Sequence, residues 1–475
     1  MKIDWDMVKD ALDNVVFYVD KNDRQIVYAE YMKPSGAIWF APIESKDFRS
    51  FLRMEYLARA GKDDVLDVNT VLTRIHDHAN YDEIYGEIET YNRVAGKLAT
   101  GVEYYLADKM QRVVRISKGK WRICRKKHFK FLTGSCLAQV EPVHSDKNIR
   151  DLLAPYVNLT GDSYLLFIVW LIQCFTCGNH YGLMISAGPG SGKSSMTRLI
   201  SRLIDPSRSE TGFMPKRVED LQTDLANRYL ATYDNNSGIT KEFSDTFCSA
   251  ITGGTVTKRK LYTDNETVCL PLHNTVVING VSIFPEESDL AERFLFLSLK
   301  KLSASKLVSE HDLWIRFEKD KPLILGCIFD TLANASVFAK GLKLTNKPRM
   351  ADAFKEMVPI AMALGIEEKE FRRILADNTK QMQKVCAEKD IVVAVREYMN
   401  GPMRGKQKVS SFSSDLYSKI CDNYSGSKNT LPKNASHFSR KLNSETAALK
   451  AAGFKVDIDD TGSEGSVMTI RRLKQ

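Results

Sequence analysis

Residues 181–200 read YGLMISAGPGSGKSSMTRLI, and the change of period along them leaves little freedom in how the chain can fold there. GLMIS is a short unbroken apolar run, AGPGSGK is built of turn residues, and SSMTRLISRLI brings apolar residues back at helical spacing. Strand, glycine loop and helix arrive in the order that a phosphate-gripping loop requires. The glycines let consecutive backbone N–H groups turn inward, and the helix presents its positive end to the same point. The match to G-x-x-x-x-G-K-[ST] is complete except for Ala187 at the first glycine. Gly188, Pro189, Gly190, Ser191, Gly192, Lys193, Ser194 and Ser195 are therefore expected to cradle a nucleoside triphosphate. Lys193 would reach its β- and γ-phosphates and Ser194 would ligate Mg²⁺, so ATP and Mg²⁺ are the implied cofactors. The competing reading, a flexible loop before an ordinary lysine, does not account for the flanking strand and helix.

At 475 residues the chain is too long for one core, and about one domain per 150 residues suggests three or so. The longest apolar run, YLLFIVWLI at 164–172, falls short of the roughly 20 residues of a membrane span. The opening MKIDWDMVKD lacks a signal-peptide pattern, so a multidomain cytoplasmic protein with no membrane partner is expected. Cys174 and Cys177 in CFTCGNH, with His180 nearby, raise a zinc reading. The chain has no second C-x-x-C, and the pair closes an apolar helical run, so reduced thiols packed in or near a core are expected instead. The net charge of +9 is unevenly spread: residues 401–475 hold 13 Lys/Arg against 7 Asp/Glu. That excess makes a polyanion partner plausible at the C-terminal end.

Downstream, RYLATYDNNS at 228–237 is a short apolar strand that ends in an acid. An acid so placed on a neighbouring strand holds Mg²⁺ opposite the Ser194 hydroxyl, which makes Asp234 the expected second metal contact. The next residue is Asn235, where hydrolytic ATPases usually carry a water-polarising Glu. Two β-rich runs then flank the polar turn TDNE and form a hairpin with Lys258, Arg259 and Lys260 on one arm. That triplet is a candidate DNA contact, or a solvated strand face. The strand TVVIN ends at Asn279, whose amide could sense a γ-phosphate or simply turn the chain before Gly280. In DLAERFLFLSL, Arg293 precedes an apolar strand, where ring-forming ATPases present an arginine to the neighbouring subunit. It could equally pair with Glu286, Glu287 or Asp289.

AGPGSGKS, YDNN, TGG…KRKLYTD, VVING and LAERF, in this order, resemble superfamily-three helicases of viruses and mobile elements. The last element is also similar to the LLSRFD finger of minichromosome maintenance helicases. More closely, the chain resembles the helicase-like ATPases of prophages, integrative elements and staphylococcal-cassette-type elements. In these the N-terminal region ends in a gly-trp β-hairpin (here SKGKWRI), the lid carries a PRMADF-like string (here KPRMADAF), and the tail is a winged helix. The resemblance is strongest over 150–300 and weakest over 1–110. It implies an ATP-dependent DNA helicase or replication-initiation motor, a hexameric AAA+ ring with single-stranded DNA in its channel and ATP sites shared between subunits. Lys193, Asp234, Asn279 and Arg293 would be its catalytic residues. Asn235 departs from the family pattern and leaves the hydrolytic base unassigned, with Glu242 and Asp245 nearby in sequence. A slow nucleotide-gated DNA-binding or assembly switch is the alternative; a P-loop kinase would need neither the basic hairpin nor the arginine.

The expected architecture is an α/β P-loop AAA+ core (151–301) with a mixed α+β N-terminal domain (1–150), a helical lid (302–385) and a winged helix (386–475). The first domain mixes strands (NVVFYVD, QIVYAEY, AIWFAPI) with a helical middle, and its basic hairpin VVRISKGKWRICRKKHFKF reads better as an exposed β face than as a DNA contact. Arg349 in the lid is a candidate second phosphate sensor. In the tail, IVVAVREYM, SSDLYSKICDNY and ASHFSRKLNSETAALKAAGF read as three helices, and KVDIDD and VMTIRR as a two-stranded wing. His437, Arg440 and Lys441 near the start of the third helix, with Arg471 and Arg472 on the wing, would meet duplex DNA. Protein docking is the other use of such a tail.

Overall fold

The computed structural model describes residues 3–473 apart from 61–64, 82–84, 135, 237–238, 260–266, 282–287, 303–307, 387–388 and 461–465. At the N-terminus, strands Val16–Asp20, Val27–Met32, Ile38–Pro42 and Gly86–Ile88 form a sheet with the Val16–Asp20 and Val27–Met32 strands inside. Helices Lys46–Ala60 and Val68–Tyr81 bring Phe48, Leu52, Tyr56 and Leu72 into one core with Val19, Val27 and Tyr31 of that sheet.

A second, antiparallel sheet follows: Val94–Lys97, Gly101–Tyr105, β1 (Val113–Ser117) and β2 (Lys120–Cys124). Its Val102, Tyr104, Val114 and Ile116 belong to the large core built around the central sheet, not to the N-terminal one. The cores therefore part company near residue 93. Arg93 is fully buried there and bonds Asp205 at 2.8 Å and the carbonyls of Tyr105 and Leu137 at 2.9 and 2.7 Å. A buried charge so fully partnered ties the second sheet to the central unit, because removing either partner strands the other without solvent.

The central unit runs β3 (Gly182–Ser186), α1 (Lys193–Ile204), α2 (Val218–Ala226), β4 (Leu230–Asn236), α3 (Lys241–Thr252), β5 (Gly254–Arg259), β6 (Thr267–Leu272), β7 (Thr275–Gly280), α4 (Ser288–Ala291) and β8 (Phe294–Ser298). Strands β4, β7, β3 and β8 lie side by side in that order, all parallel. Helices cover both faces, which is why these strands bury consecutive residues rather than alternate ones; every residue of β7 is buried. Strands β5 and β6 pair as the expected antiparallel hairpin. The backbone of β5 carries Lys258 and Arg259 to its end, while Lys260 and the turn lie outside the described residues.

Three helices follow: α5 (Glu310–Phe338), α6 (Ala351–Ala363) and α7 (Glu368–Cys386). By length and composition α5 would cross a membrane, yet 67% of its most apolar window is buried inside the fold. Part of what covers α5 is the β1–β2 hairpin. Trp121 donates from Nε1 to Asp330 at 2.7 Å and packs on Phe329. The hairpin is thus exposed on one face only: Trp121 and Ile123 turn inward while Lys120 and Arg122 alternate outward. Helix α7 caps the edge strand β8, with the Asn378 amide accepting from Phe296 N–H at 3.0 Å and donating to its carbonyl at 2.6 Å. One side chain thereby satisfies backbone that a sheet edge would leave open.

The tail contains helices Asp390–Asn400, Ser413–Asp422, Ala435–Ser444 and Thr446–Ala451 and a three-stranded sheet ordered Lys408–Phe412, Ser466–Arg472, Phe454–Asp460. Two details differ from the sequence reading. The expected third helix breaks at Glu445, which is fully buried and bonds Lys389 through both carboxylate oxygens at 2.7 Å. Where a two-stranded wing is expected, the sheet has a third strand, KVSSF, paired with Ser466–Arg472.

Candidate functional site

Strand β3 ends at Ser186, and the chain then crosses the C-terminal edge of the sheet before entering α1. Gly190 and Gly192 take φ of +72° and +83°, the left-handed region that side-chain-bearing residues pay to enter. A Cβ at Gly188 or Gly190 would meet nothing within 4 Å, so the loop lies against open space where an anion can approach. It is held from behind: Leu302 N–H donates to the Gly190 carbonyl at 3.2 Å, and the Asn158 amide bridges the carbonyls of Ser191 and Lys300 at 3.3 and 2.6 Å. The Ser191 hydroxyl closes the loop on the Gly188 carbonyl at 2.8 Å.

Lys193 and Ser194 open α1, and both are part-exposed. The Lys193 ammonium has a long 3.4 Å contact to the Ala187 carbonyl. The Ser194 hydroxyl donates to Asp234 Oδ1 at 3.4 Å, bringing together two residues that lie 40 positions apart. A hydroxyl and a carboxylate are hard oxygen donors, the set that Mg²⁺ prefers, and helix N-terminus, glycine loop and lysine add positive potential beside them. The residues present fit a phosphate-bound Mg²⁺.

What the sequence does not reveal is how Asp234 is aimed. The β4–β7 register slips between Tyr233 and Asn236, and within this bulge Asn235 has φ +57°. A bulge turns its neighbouring side chain out of the regular pleat, and Asn tolerates the left-handed conformation better than any β-branched residue. Asn235 thus has a backbone reason to be there. Asn235→Gly is expected to unfold in denaturant with the wild type, whereas Asn235→Val should lose about 1–2 kcal/mol. Equal stability of the two variants would show that the bulge does not depend on this conformation.

Asn279, on β7 opposite Ile185, is fully buried. Its side-chain Oδ1 accepts from Asn235 N–H at 3.0 Å and its Nδ2 donates to Thr197 Oγ1 at 2.8 Å. Its side-chain amide thus forms a bracket that ties the bulge of β4 to α1. Thr197, which sequence reading missed, is the other half of that bracket, and a lone helical threonine carries no signal of it.

Arg293 stands at the other end of the sheet. Its carbonyl accepts from Gly182 N–H at 2.9 Å, at the start of β3, so five strand residues, roughly 17 Å, separate it from the glycine loop of its own chain. Its guanidinium bonds the Asp289 carboxylate and, at 3.0 Å, the Asp289 carbonyl. Its Nε is buried without a hydrogen-bond partner among the described residues. Of the three acids expected as alternatives, Asp289 is the one that pairs; Glu286 and Glu287 lie outside the described residues. Arg349, the candidate second phosphate sensor, bonds Glu292 at 2.6 Å and also Asp289. Burial works to raise the Asp289 carboxyl, but a Cys248 hydrogen bond and the charges of Arg293 and Arg349 outweigh it and hold it below the usual carboxylate range.

Cys174 is a free thiol buried within the main core and Cys177 a free thiol packed against it, and burial pushes Cys177 up to about 11. Burial likewise drives His180 down to about 3. In the tail, His437 and Arg440 are exposed on Ala435–Ser444, and Lys441 is half-buried on the same helix. Arg471 faces outward near Asp457 at 3.7 Å. Arg472 is half-buried and bonds the Asn400 side chain at 2.9 Å and the Met399 carbonyl at 2.5 Å.

Residues 150–381 match the family model described as actinomycete integrative conjugative element replication protein. Among solved structures the chain is similar to the A-form apo structure of the NrS-1 C-terminal region, at 12% identity over 98% of each chain with a TM-score of 0.44. It is also similar to JCV helicase bound to a phenoxyphenyl acetamide, at 14% identity over 50% of this chain and 67% of that one, with a TM-score of 0.26. No curated protein matches the chain.

Proposed function

We propose that this chain is an ATP-driven motor of DNA replication on a mobile element, a helicase or initiation ATPase that works in the cytoplasm as a hexameric ring. The observation that carries the reading is the meeting of Ser194 and Asp234 at 3.4 Å beside a left-handed glycine loop. The family match over 150–381 supports the replication role and spans every residue of that site. In this reading 151–301 is the ATPase unit, 302–385 its lid and 386–475 a winged helix. Ser194 and Asp234 hold Mg²⁺, which when bound neutralises phosphate charge. Lys193 binds the β- and γ-phosphates, and Gly188 to Ser195 cradle them. Asn279 acts as a positioning residue, and Arg293 serves the neighbouring subunit. Lys258, Arg259 and Lys260 face single-stranded DNA in the channel, and His437, Arg440, Lys441 and Arg471 meet duplex DNA.

Asn235 favours a second reading. With no carboxylate after Asp234, the water-activating base is missing from its usual place, as suits a slow nucleotide-gated switch. Steady-state ATP hydrolysis with and without single-stranded DNA separates the two. The motor is expected to turn over and to be stimulated by DNA; a flat, near-zero rate belongs to the switch.

A further inference from the structure

The basic hairpin that the sequence reading left as an exposed face ends on a rigid junction. Gly119 N–H, in the β1–β2 turn, donates to Ser336 Oγ at 3.1 Å near the end of α5. Trp121 holds Asp330 on the same helix and stacks on His144 with 4.0 Å between ring centroids. This clamp fixes Lys118 of the turn and Lys340, just past α5, on one cleft of about 310 Å³. The chain over 342–347 then folds with Lys355 of α6 round a second cleft of about 240 Å³, lined by Lys343, Lys347 and Lys355. Lys340 on one cleft and Leu342 on the other are two residues apart, no more than about 7 Å of chain. The clefts adjoin.

All five lysines are exposed, and none is ion-paired with another described residue. The acids nearby are mostly consumed. Glu103, in the first cleft, is buried and accepts from Arg115 Nε at 2.7 Å and from the N–H groups of His128 and Phe129 at 3.0 and 3.3 Å. Glu356, next to Lys355, is half-buried and accepts from Leu98 N–H at 3.3 Å. Asp352 alone stays exposed on that turn of α6. Five unpaired ammonium groups on two adjoining clefts carry a positive field that a single carboxylate does not cancel. Ammonium groups on flexible stems suit a string of phosphates rather than one shaped anion.

We infer that the junction of the β1–β2 hairpin with the 339–355 segment is a sequence-independent binding surface for a nucleic-acid phosphodiester backbone, separate from the β5–β6 hairpin and from the tail. The inference rests on the reading that the chain engages DNA. Its test replaces Lys118, Lys340, Lys343, Lys347 and Lys355 together by Ala in the full chain. Affinity for a labelled duplex and for a labelled single strand is then read by fluorescence anisotropy between roughly 50 and 200 mM salt. Each lost phosphate contact removes about 0.9 from the log–log salt slope on duplex and about 0.7 on single strand. With five contacts removed the slope is therefore expected to fall by about 4.5 if the surface binds duplex, or by about 3.5 if it binds single strand, with an affinity loss of about 100-fold or more at the low-salt end. A Lys→Arg version of the same five positions keeps the charge and should bind as the wild type does. A slope unchanged on both forms overturns the inference. So does an equal loss when five exposed lysines on other elements (Lys9, Lys46, Lys319, Lys369 and Lys384) are replaced instead, since that would be net charge alone. If the wild type binds neither form, the DNA-motor reading falls, and this surface with it.

Discussion

Lys193→Ala is expected to leave a folded protein that no longer turns over ATP. In the folded chain the ammonium has a single long contact, 3.4 Å to the Ala187 carbonyl, and it sits part-exposed at the first position of α1. Little of the core depends on it. Alanine is also the best helix former, so α1 should start as before. What is lost is a positive charge aimed where phosphate charge develops, and removing one preorganised group of this kind costs on the order of 10²–10³ in rate. Steady-state hydrolysis measures that loss, and a thermal melt run alongside should move by less than about 2 °C if only surface contacts are lost. Retained turnover would remove the glycine loop from the chemistry altogether. A collapsed melting temperature would mean that Lys193 had a structural partner after all.

The parts of this site that could be read from sequence are those whose signal is local. β3 and β4 bury consecutive residues because both faces are covered. The glycines and Lys193 mark the end of one, and Asp234 the end of the other. What could not be read depends on contacts across long stretches of chain. The bulge at Asn235 shows only in the register of β4 against β7, and the Asn279–Thr197 bracket spans 82 positions. Trp121 finds Asp330 at a separation of 209, so the hairpin's alternation reveals that one face is apolar but not what will cover it. The strand Lys408–Phe412 escaped for a related reason: it is short and half polar, and it exists because Thr469 and its neighbours pair with it, with Ser410 Oγ 2.8 Å from Thr469 Oγ1. Arg349 is the instructive case. Its distance in sequence from the glycine loop says nothing about where the helices after β8 will bring it, and the fold sets it on Asp289 beside Arg293.

That pairing sharpens the test of the ring. Arg293→Ala is expected to keep nucleotide affinity close to normal while losing about 10³–10⁵ in turnover, the worth of an arginine supplied in trans in related phosphoryl-transfer systems. Affinity should survive because Arg293 is roughly 17 Å of strand from the loop in its own chain. The fold should survive because Asp289, its partner, is about half exposed and still has Arg349. Mixing the Arg293→Ala protein with Lys193→Ala protein should then restore part of the activity: at some interfaces the intact Lys193 of one subunit faces the intact Arg293 of the other. Two other outcomes carry different meanings. If Arg293→Ala melts early, the ion pair with Asp289 is structural, and Asp289→Asn should melt early too, because it frees both arginines at once. If Arg293→Ala is folded, binds nucleotide, is inactive and is never rescued in mixtures, the arginine does not serve a neighbour, and the shared-site ring loses the residue on which it most depends.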